Sequence, residues 1–273
     1  TVVIAAIDPD RRHQGRGVDI LRKAGINVRT GVLATESEDL NLIFNHRALN
    51  DGPFFAGKTA TTLDGKIATR SGNSKWITGQ AARADVMKWR RYFPSIAVGA
   101  GTVIADNPSL TARMEENIVC PIRFIFDRRL KTLSGIDAYQ VFNDAYKEKT
   151  VLVCCEGNED VAAFENHGIR TWVLPVGGVS FWEAFTKRCI QDTMTAVYFE
   201  GGAGLLSDLI AHRQLHYLFA YRAPKFLADG EAKSFVSGQT TEDMSSAYRL
   251  SDVKHATFGD DQLMRGRIEY TDL

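Results

Sequence analysis

The chain lacks most of what would make a role quick to read. It has no surplus of charge: 33 Lys and Arg against 33 Asp and Glu leave a formal net charge of zero. Proteins that grip nucleic acid or membrane surfaces generally carry a clear basic excess, so both classes are set aside, while a local anion site stays compatible with neutrality. No apolar run approaches the length that spans a bilayer, and no charged start with an apolar core marks a signal peptide. Cysteine is scarce. Cys120, Cys154, Cys155 and Cys189 fit neither a disulfide framework nor a metal spacing. Cys154 and Cys155 fall inside the apolar run TVLVCC and are expected to be small buried hydrophobes. With no targeting segment and no disulfide pattern, a cytoplasmic protein is predicted. The six histidines are scattered, without H-x-E or C-x-x-C, which removes zinc hydrolysis and predicts no bound metal. There is no G-x-S-x-G, no Walker loop, no repeat and no low-complexity tract. What survives is a site with binding groups and few acid–base residues. That profile suits hydride transfer, in which a cofactor carries the chemistry and the protein orients it.

What is present is a long alternation. Residues 2–7 read as a buried strand, 17–24 as a helix stopped by Gly25, 26–29 as a second short strand and 36–49 as a helix. This β-α-β-α run is too short to close a core alone, and the opening on TVVIAAI leads us to expect that the natural N-terminus lies upstream. From residue 51 the main body begins. Strands are expected at 54–61, 95–99, 121–127, 150–155, 170–174 and 195–200, with helices at 80–92, 160–167, 180–189 and 205–212. Such alternation predicts an α/β fold with a largely parallel sheet and helices on both faces. Residues 216–221, 251–258 and 264–270 have no long helices between them and are expected as antiparallel edge strands of a mixed sheet. A polar loop is expected at 228–246.

Ligands of open α/β sheets bind at the carboxyl ends of strands. Two such ends are rich in glycine here: Val98-Gly99-Ala100-Gly101-Thr102, and Glu200-Gly201-Gly202-Ala203-Gly204-Leu205 with a carboxylate at the strand end. Glycines there let backbone N–H groups approach an anion at a helix start, although neither completes G-x-G-x-x-G and each also reads as a plain tight turn. Asp64 reads as a turn carboxylate bonding its own backbone. Trp76 precedes a helix whose expected N-cap is Thr78, and it suits either a site or the core. Arg83 and Arg90, seven apart, share one helix face, which is most simply a solvated basic face. Arg113 follows the turn Asn107-Pro108-Ser109-Leu110-Thr111 and can aim its guanidinium at a phosphate.

The motifs KTATTLDGKIA, GNSKWIT, IADNPSLTAR and FEGGAGLL, in this order and spacing between Lys58 and about Asp208, resemble the reductase domain of the bifunctional riboflavin-biosynthesis deaminase/reductases. The resemblance implies a dihydrofolate-reductase-like fold, NADPH as cofactor and a homodimer. It also implies reduction of 5-amino-6-ribosylamino-uracil 5′-phosphate, a small-molecule substrate, to its ribityl form. Carried over residue by residue, substrate contacts fall on Ser74, Arg90, Leu110, Arg113 and Glu200. Cofactor contacts fall on Ala60, Trp76, Thr102, Asp106, Arg128 and the segment Gly202, Ala203, Gly204, Leu205, Leu206, Ser207 and Asp208. Lys58 matches a lysine near the reacting ribose, so Lys58 and Glu200 are the expected catalytic pair, while Arg90 and Arg113 would hold the 5′-phosphate. Residues 1–50 resemble the last part of the family's deaminase domain, and residues 51–273 the reductase domain. The deaminase's H-A-E and P-C-x-x-C motifs are absent, so no deamination is expected of this chain. Two departures stand out: the family's usual acidic residue is missing from Leu215-His216-Tyr217, and its compact turn from residues 226–230. A same-fold reductase for another pterin or pyrimidine, or a non-catalytic partner of a separate deaminase, are the other readings.

Overall fold

A computed structural model describes residues 1–114, 117–238 and 240–271. The chain divides into two compact units, residues 1–54 with 189–195 and residues 55–188 with 196–273.

In the first unit, strands Val2–Ile4 and Val28–Thr30 pair in parallel, connected through helix Arg16–Lys23. The helix ends where Gly25 takes a left-handed φ of 76°. There the Gly25 N–H reaches the Arg22 carbonyl and the Ile26 N–H reaches that of Leu21, a Schellman closure. The single helix expected over 36–49 is two, Ala34–Leu40 and Leu42–Leu49. Asn41 breaks it. Its backbone leaves the helical region, and its side-chain amide donates back to the Ser37 carbonyl, the local competition that makes asparagine a poor helix interior residue.

The second unit holds a nine-stranded sheet, in spatial order Arg170–Leu174, Thr150–Cys155, Ile122–Phe126, Ser95–Gly99, Ala196–Phe199, Phe54–Thr61, Tyr217–Arg222, Asp261–Glu269 and Arg249–Phe258. From Arg170–Leu174 to Ala196–Phe199 each neighbouring pair is parallel, and Phe54–Thr61 runs parallel to Tyr217–Arg222. The last two strands close the sheet antiparallel, as expected, but Tyr217–Arg222, expected with them at the antiparallel edge, lies inside the sheet with one parallel and one antiparallel neighbour. The register slips between Ser251 and Lys254, with Asp252 at φ 50°. Gly266 lies against this bulge, where a Cβ would stand 2.6 Å from the Ser251 carbonyl oxygen.

The parallel strands are continuous apolar runs because both faces are covered. On one face Ile96, Val98, Ile125, Leu152 and Cys154 pack with Val103, Phe142 and Phe164 from the helices above. On the other, Phe124, Phe126 and Phe199 meet Phe181, Trp182 and Phe185 of helix Gly178–Gln191. Each such side chain contributes about 1.5–3 kcal/mol by leaving water. Helix Gln80–Tyr92 buries Ala82 and Val86 and sets Trp89 against Phe219, with ring centroids 4.6 Å apart.

That helix does not start on the expected cap. Its N-cap is Gly79, and no side chain of its own turn caps it. Instead the Gly79 N–H donates to the buried Asp261 carboxylate at 2.6 Å. A carboxylate delivered from the far strand complements the helix N-terminus as a local threonine would, and more strongly because it is charged. Asp64 bonds its own backbone as expected, and it does more. Besides the Thr62 hydroxyl, it accepts the N–H groups of Leu227 and Ala228, so it anchors the loop whose turn departs from the family pattern. The expected loop at 228–246 contains a short strand, Lys233–Ser234, paired with Lys66–Ala68; residue 239 lies outside the described residues. At the other departure, His216 Nδ1 accepts the Phe55 N–H at 2.9 Å.

Candidate active site

A cleft of about 970 Å³ opens where the strands Phe54–Thr61, Ser95–Gly99 and Ala196–Phe199 reach their loops. Lys58 and Ala60, two apart on one strand, face the same side and both line it. Glu200 follows the third strand directly, its N–H still bonded to the Ala97 carbonyl, so the carboxylate is fixed at the sheet edge.

The charged centre is compact. Arg90 grips Glu200 with two parallel bonds, Nε to Oε1 at 2.6 Å and Nη2 to Oε2 at 2.9 Å, and donates Nη1 to the Thr111 carbonyl at 3.0 Å. Lys58 Nζ stands 4.0 Å from Glu200 Oε2. The side chains of Lys58, Arg90 and Glu200 are only 19%, 13% and 8% exposed, so these charges act in a poorly screened environment. Burial pushes the Lys58 ammonium below its usual pKa; the Glu200 charge opposes this and that of Arg90 adds to it. Burial would raise the Glu200 carboxyl, but the charge and hydrogen bonds of Arg90, with Lys58, outweigh it and hold the group below the usual carboxylate range. A cation inclined to give up its proton thus faces an anion that stays ionised.

Arg83 and Arg90 do share a helix face, and that face lines the cleft rather than solvent. Arg83 lies over the Trp76 ring at 4.4 Å, and Trp76 is 65% exposed at the cleft, which excludes the core reading. Ser74 lines the same wall, and Lys75 Nζ lies 4.0 Å from Asp106 Oδ1 across it. The opposite rim is the turn 107–111. Asn107 and Leu110 sit there at left-handed φ of 40° and 53°, uncommon for residues with a Cβ. Two guanidinium groups hold this turn by its carbonyls: Arg90 takes Thr111, and the wholly buried Arg123 takes Ser109 at 3.0 Å while clamping Asp144. Beyond the turn, Arg113 Nη1 donates to Ser109 Oγ at 3.1 Å and lines the cleft. The expectation that Arg90 and Arg113 jointly hold a phosphate therefore needs revision. Arg90 has its fork closed on Glu200, and Arg113 is the arginine presented outward.

The glycine bends form the remaining wall. Gly99 and Gly202 are the N-caps of helices Ala100–Asp106 and Ala203–Ala211, and neither helix has a side-chain cap. A Cβ at Gly101 or Gly204 would meet nothing within 4 Å, and both residues line the cleft, so the first-turn backbone is open to a ligand. Thr102, Gly202, Ala203 and Leu205 line it too. A smaller cleft of about 370 Å³ shares Gly99, Gly101, Gly204 and Leu205 with the larger and carries Arg128 and Asp208, an ion pair at 2.6 Å. These features fit a dinucleotide: an uncapped helix start for the pyrophosphate and space on either side. Leu206 is buried in the core, and the Ser207 hydroxyl accepts the Ser237 N–H at 2.9 Å; neither lines either of these two clefts. Arg123 and Asp261 were not singled out in the sequence, because their partners lie 14 or more residues away and no local pattern marks them.

The model of the RibD C-terminal domain family matches residues 53–264. The riboflavin biosynthesis protein RibD of Bacillus amyloliquefaciens is 33% identical over 263 residues, covering 95% of this chain and 69% of its own length. RibD of Acinetobacter baumannii, in one solved form, is similar with a TM-score of 0.75 at 27% identity over 98% of this chain and 72% of that one. The solved diaminohydroxyphosphoribosylaminopyrimidine deaminase/5-amino-6-(5-phosphoribosylamino)uracil reductase of Thermotoga maritima gives 0.71 at 31% identity, covering 97% and 70%.

Proposed function

The chain belongs to the RibD C-terminal domain family, and on that premise we propose that it reduces 5-amino-6-ribosylamino-uracil 5′-phosphate to the ribitylamino product, with NADPH as reductant, in riboflavin biosynthesis. The observation that carries this reading is one cleft holding both a buried Lys58–Glu200–Arg90 centre and open helix starts at paired glycine bends. Residues 51–273 are the reductase domain in this reading, and residues 1–50 the C-terminal remnant of a deaminase-like domain that does not deaminate by itself. A homodimer is proposed on the family's habit.

The dinucleotide, when bound, supplies a hydride. The substrate must first open: the C1′–O4′ bond breaks, O4′ gains a proton, and C1′ becomes doubly bonded to nitrogen. Hydride then arrives at C1′ and the nitrogen ends with its proton. Lys58 is the chain's proton holder, since a depressed pKa makes its ammonium a better acid at neutral pH. Glu200, kept ionised, stabilises the positive charge that develops on the C1′–N unit, and Arg90 orients it. Arg113, with the Ser109 hydroxyl beside it, holds the 5′-phosphate at the open rim.

The test is oxidation of NADPH by the purified chain with the phosphorylated pyrimidine, with dihydrofolate as control. Arg113→Ala should raise KM for the phosphorylated substrate about tenfold or more, the worth of a charged hydrogen bond. The dephosphorylated substrate should show little change. Equal losses with both substrates would remove Arg113 from the phosphate, and turnover of dihydrofolate alone would replace the substrate.

A further inference from the structure

The turn 107–111 is held from three sides. Asn107 and Leu110 sit at left-handed φ of 40° and 53°, and a bulky residue such as Leu110 keeps that conformation only where its surroundings over-determine it. Three side chains from three elements do so, each taking one carbonyl. Gln140 Nε2 donates to that of Asn107 at 2.9 Å, Arg123 Nη1 to that of Ser109 at 3.0 Å and Arg90 Nη1 to that of Thr111 at 3.0 Å. The N–H groups of Ser109, Leu110 and Thr111, by contrast, have no acceptor among the described residues, although Leu110 and Thr111 are buried. Consecutive N–H groups around a left-handed residue form a concavity that accepts an anion. Ser109 and Leu110 line the larger cleft together with Arg113.

Arg123 is the deepest of these clamps. It belongs to the apolar strand Ile122–Phe126 and is wholly buried. Each nitrogen of its fork is bonded. Nε donates to the Thr150 hydroxyl at 3.0 Å, Nη1 to the Ser109 carbonyl and to Asp144 Oδ2 at 2.6 Å, and Nη2 to Asp144 Oδ1 at 2.9 Å and to the Val141 and Tyr146 carbonyls. For stability alone an apolar side chain would serve in such a strand, because the cost of desolvating a buried ion pair offsets most of its attraction. What a guanidinium adds is a planar fork that bridges several acceptors at once, and here one of them is the turn. Neither Arg123 nor Asp144 lines either cleft, so neither meets a ligand directly. We infer that Arg123, held by Asp144, is a positioning residue for the substrate's phosphate: it sets the turn 107–111 so that the unpaired N–H groups and Arg113 converge on one anion. This rests on the phosphate role given to Arg113 above and adds the group that shapes that subsite from inside the core.

The test is steady-state kinetics of the full chain carrying Arg123→Lys, which keeps the charge and loses the fork. KM for the phosphorylated pyrimidine should rise about tenfold, with kcat within about twofold of the wild type. KM for the dephosphorylated substrate and for NADPH should not move. A merely structural role would lower the yield of folded chain and leave the ratio of the two substrate KM values where it was. Asp144→Asn is the milder variant, since Asp144 is partly exposed and the amide keeps an oxygen for the guanidinium. It should shift the ratio in the same direction by about threefold, and it decides the matter if Arg123→Lys does not fold. Calorimetric titration with ribose 5-phosphate and with ribose reads the subsite without turnover: the variants should lose preference for the phosphate by the same factors. A ratio and a preference unchanged in the folded variants, or equal losses for both substrates, overturn the inference. A wild type whose preference for ribose 5-phosphate falls in the variants, yet which leaves the pyrimidine unreduced, overturns the substrate reading alone. Reduction of the pyrimidine with the ratio unmoved overturns this inference and leaves that reading standing.

Discussion

The larger cleft, the inner end of the site, and the smaller cleft beside it, the outer end, handle charge in opposite ways. At the inner end Lys58, Arg90 and Glu200 are largely buried, and every charge has its counter-charge within 4.0 Å. At the outer end Arg128 is 38% exposed, and Arg129 and Lys131 face solvent. Buried charges are expensive unless fixed by partners, so the inner end is a preorganised centre whose geometry is held before any ligand arrives. Exposed charges contribute little to folding but attract and select anions over a Debye length.

The contrast is broken most severely at Glu200. Glu200→Gln should lower kcat by about 10²–10⁴-fold, the range for a positioned acid, base or counter-ion. Arg90→Ala should cost about 3–5 kcal/mol of stability in denaturant unfolding, because it leaves a carboxylate buried without its guanidinium. Replacing both by Met should restore much of that stability and none of the activity. If Arg90→Ala unfolds like the wild type, the inner end is more solvated than its burial states.

Lys58 comes next. Its ammonium is the working form, and burial lowers its pKa, so kcat/KM should fall as pH rises through a value below the ordinary lysine value of about 10.4. Lys58→Arg should lower kcat/KM and leave the residual activity without that alkaline limb, since an arginine keeps both its charge and its proton. A limb unchanged in the variant would assign it to another group. Glu200 has a stability signature of opposite sense. Its folded pKa lies below the unfolded value of about 4.3, so its contribution is present above that pH and is lost as pH falls through the folded value. Glu200→Gln should flatten this part of the acid unfolding curve. The smallest effect belongs to the outer end: Arg128→Ala, which breaks a partly exposed pair, should change stability by about 1 kcal/mol or less.

The sheet was legible because its signals are local. Strands Phe54–Thr61, Ser95–Gly99, Thr150–Cys155 and Arg170–Leu174 begin and end where apolar runs meet turn residues, and helix Gln80–Tyr92 follows its stripe of buried positions. The glycine bends and Glu200 could be placed at one sheet edge for the same reason. What could not be read was partnership across the chain. Thr78 looked like the cap because it stands next to the helix, while the group that bonds Gly79 comes from Asp261, 182 residues on. Arg90 looked like a solvated cation or a phosphate ligand until Glu200, 110 residues away, closed on it. Asn41 was overlooked inside an otherwise helical pattern, where one amide bonding back to Ser37 is enough to divide the helix.

The most direct measurement is a crystal structure of the chain with NADPH bound. The nicotinamide should lie in the larger cleft beside Lys58 and Glu200, the pyrophosphate against the start of helix Ala203–Ala211, and the adenosine end in the smaller cleft. A nicotinamide bound away from Lys58 and Glu200, with the glycine bends untouched, would contradict it.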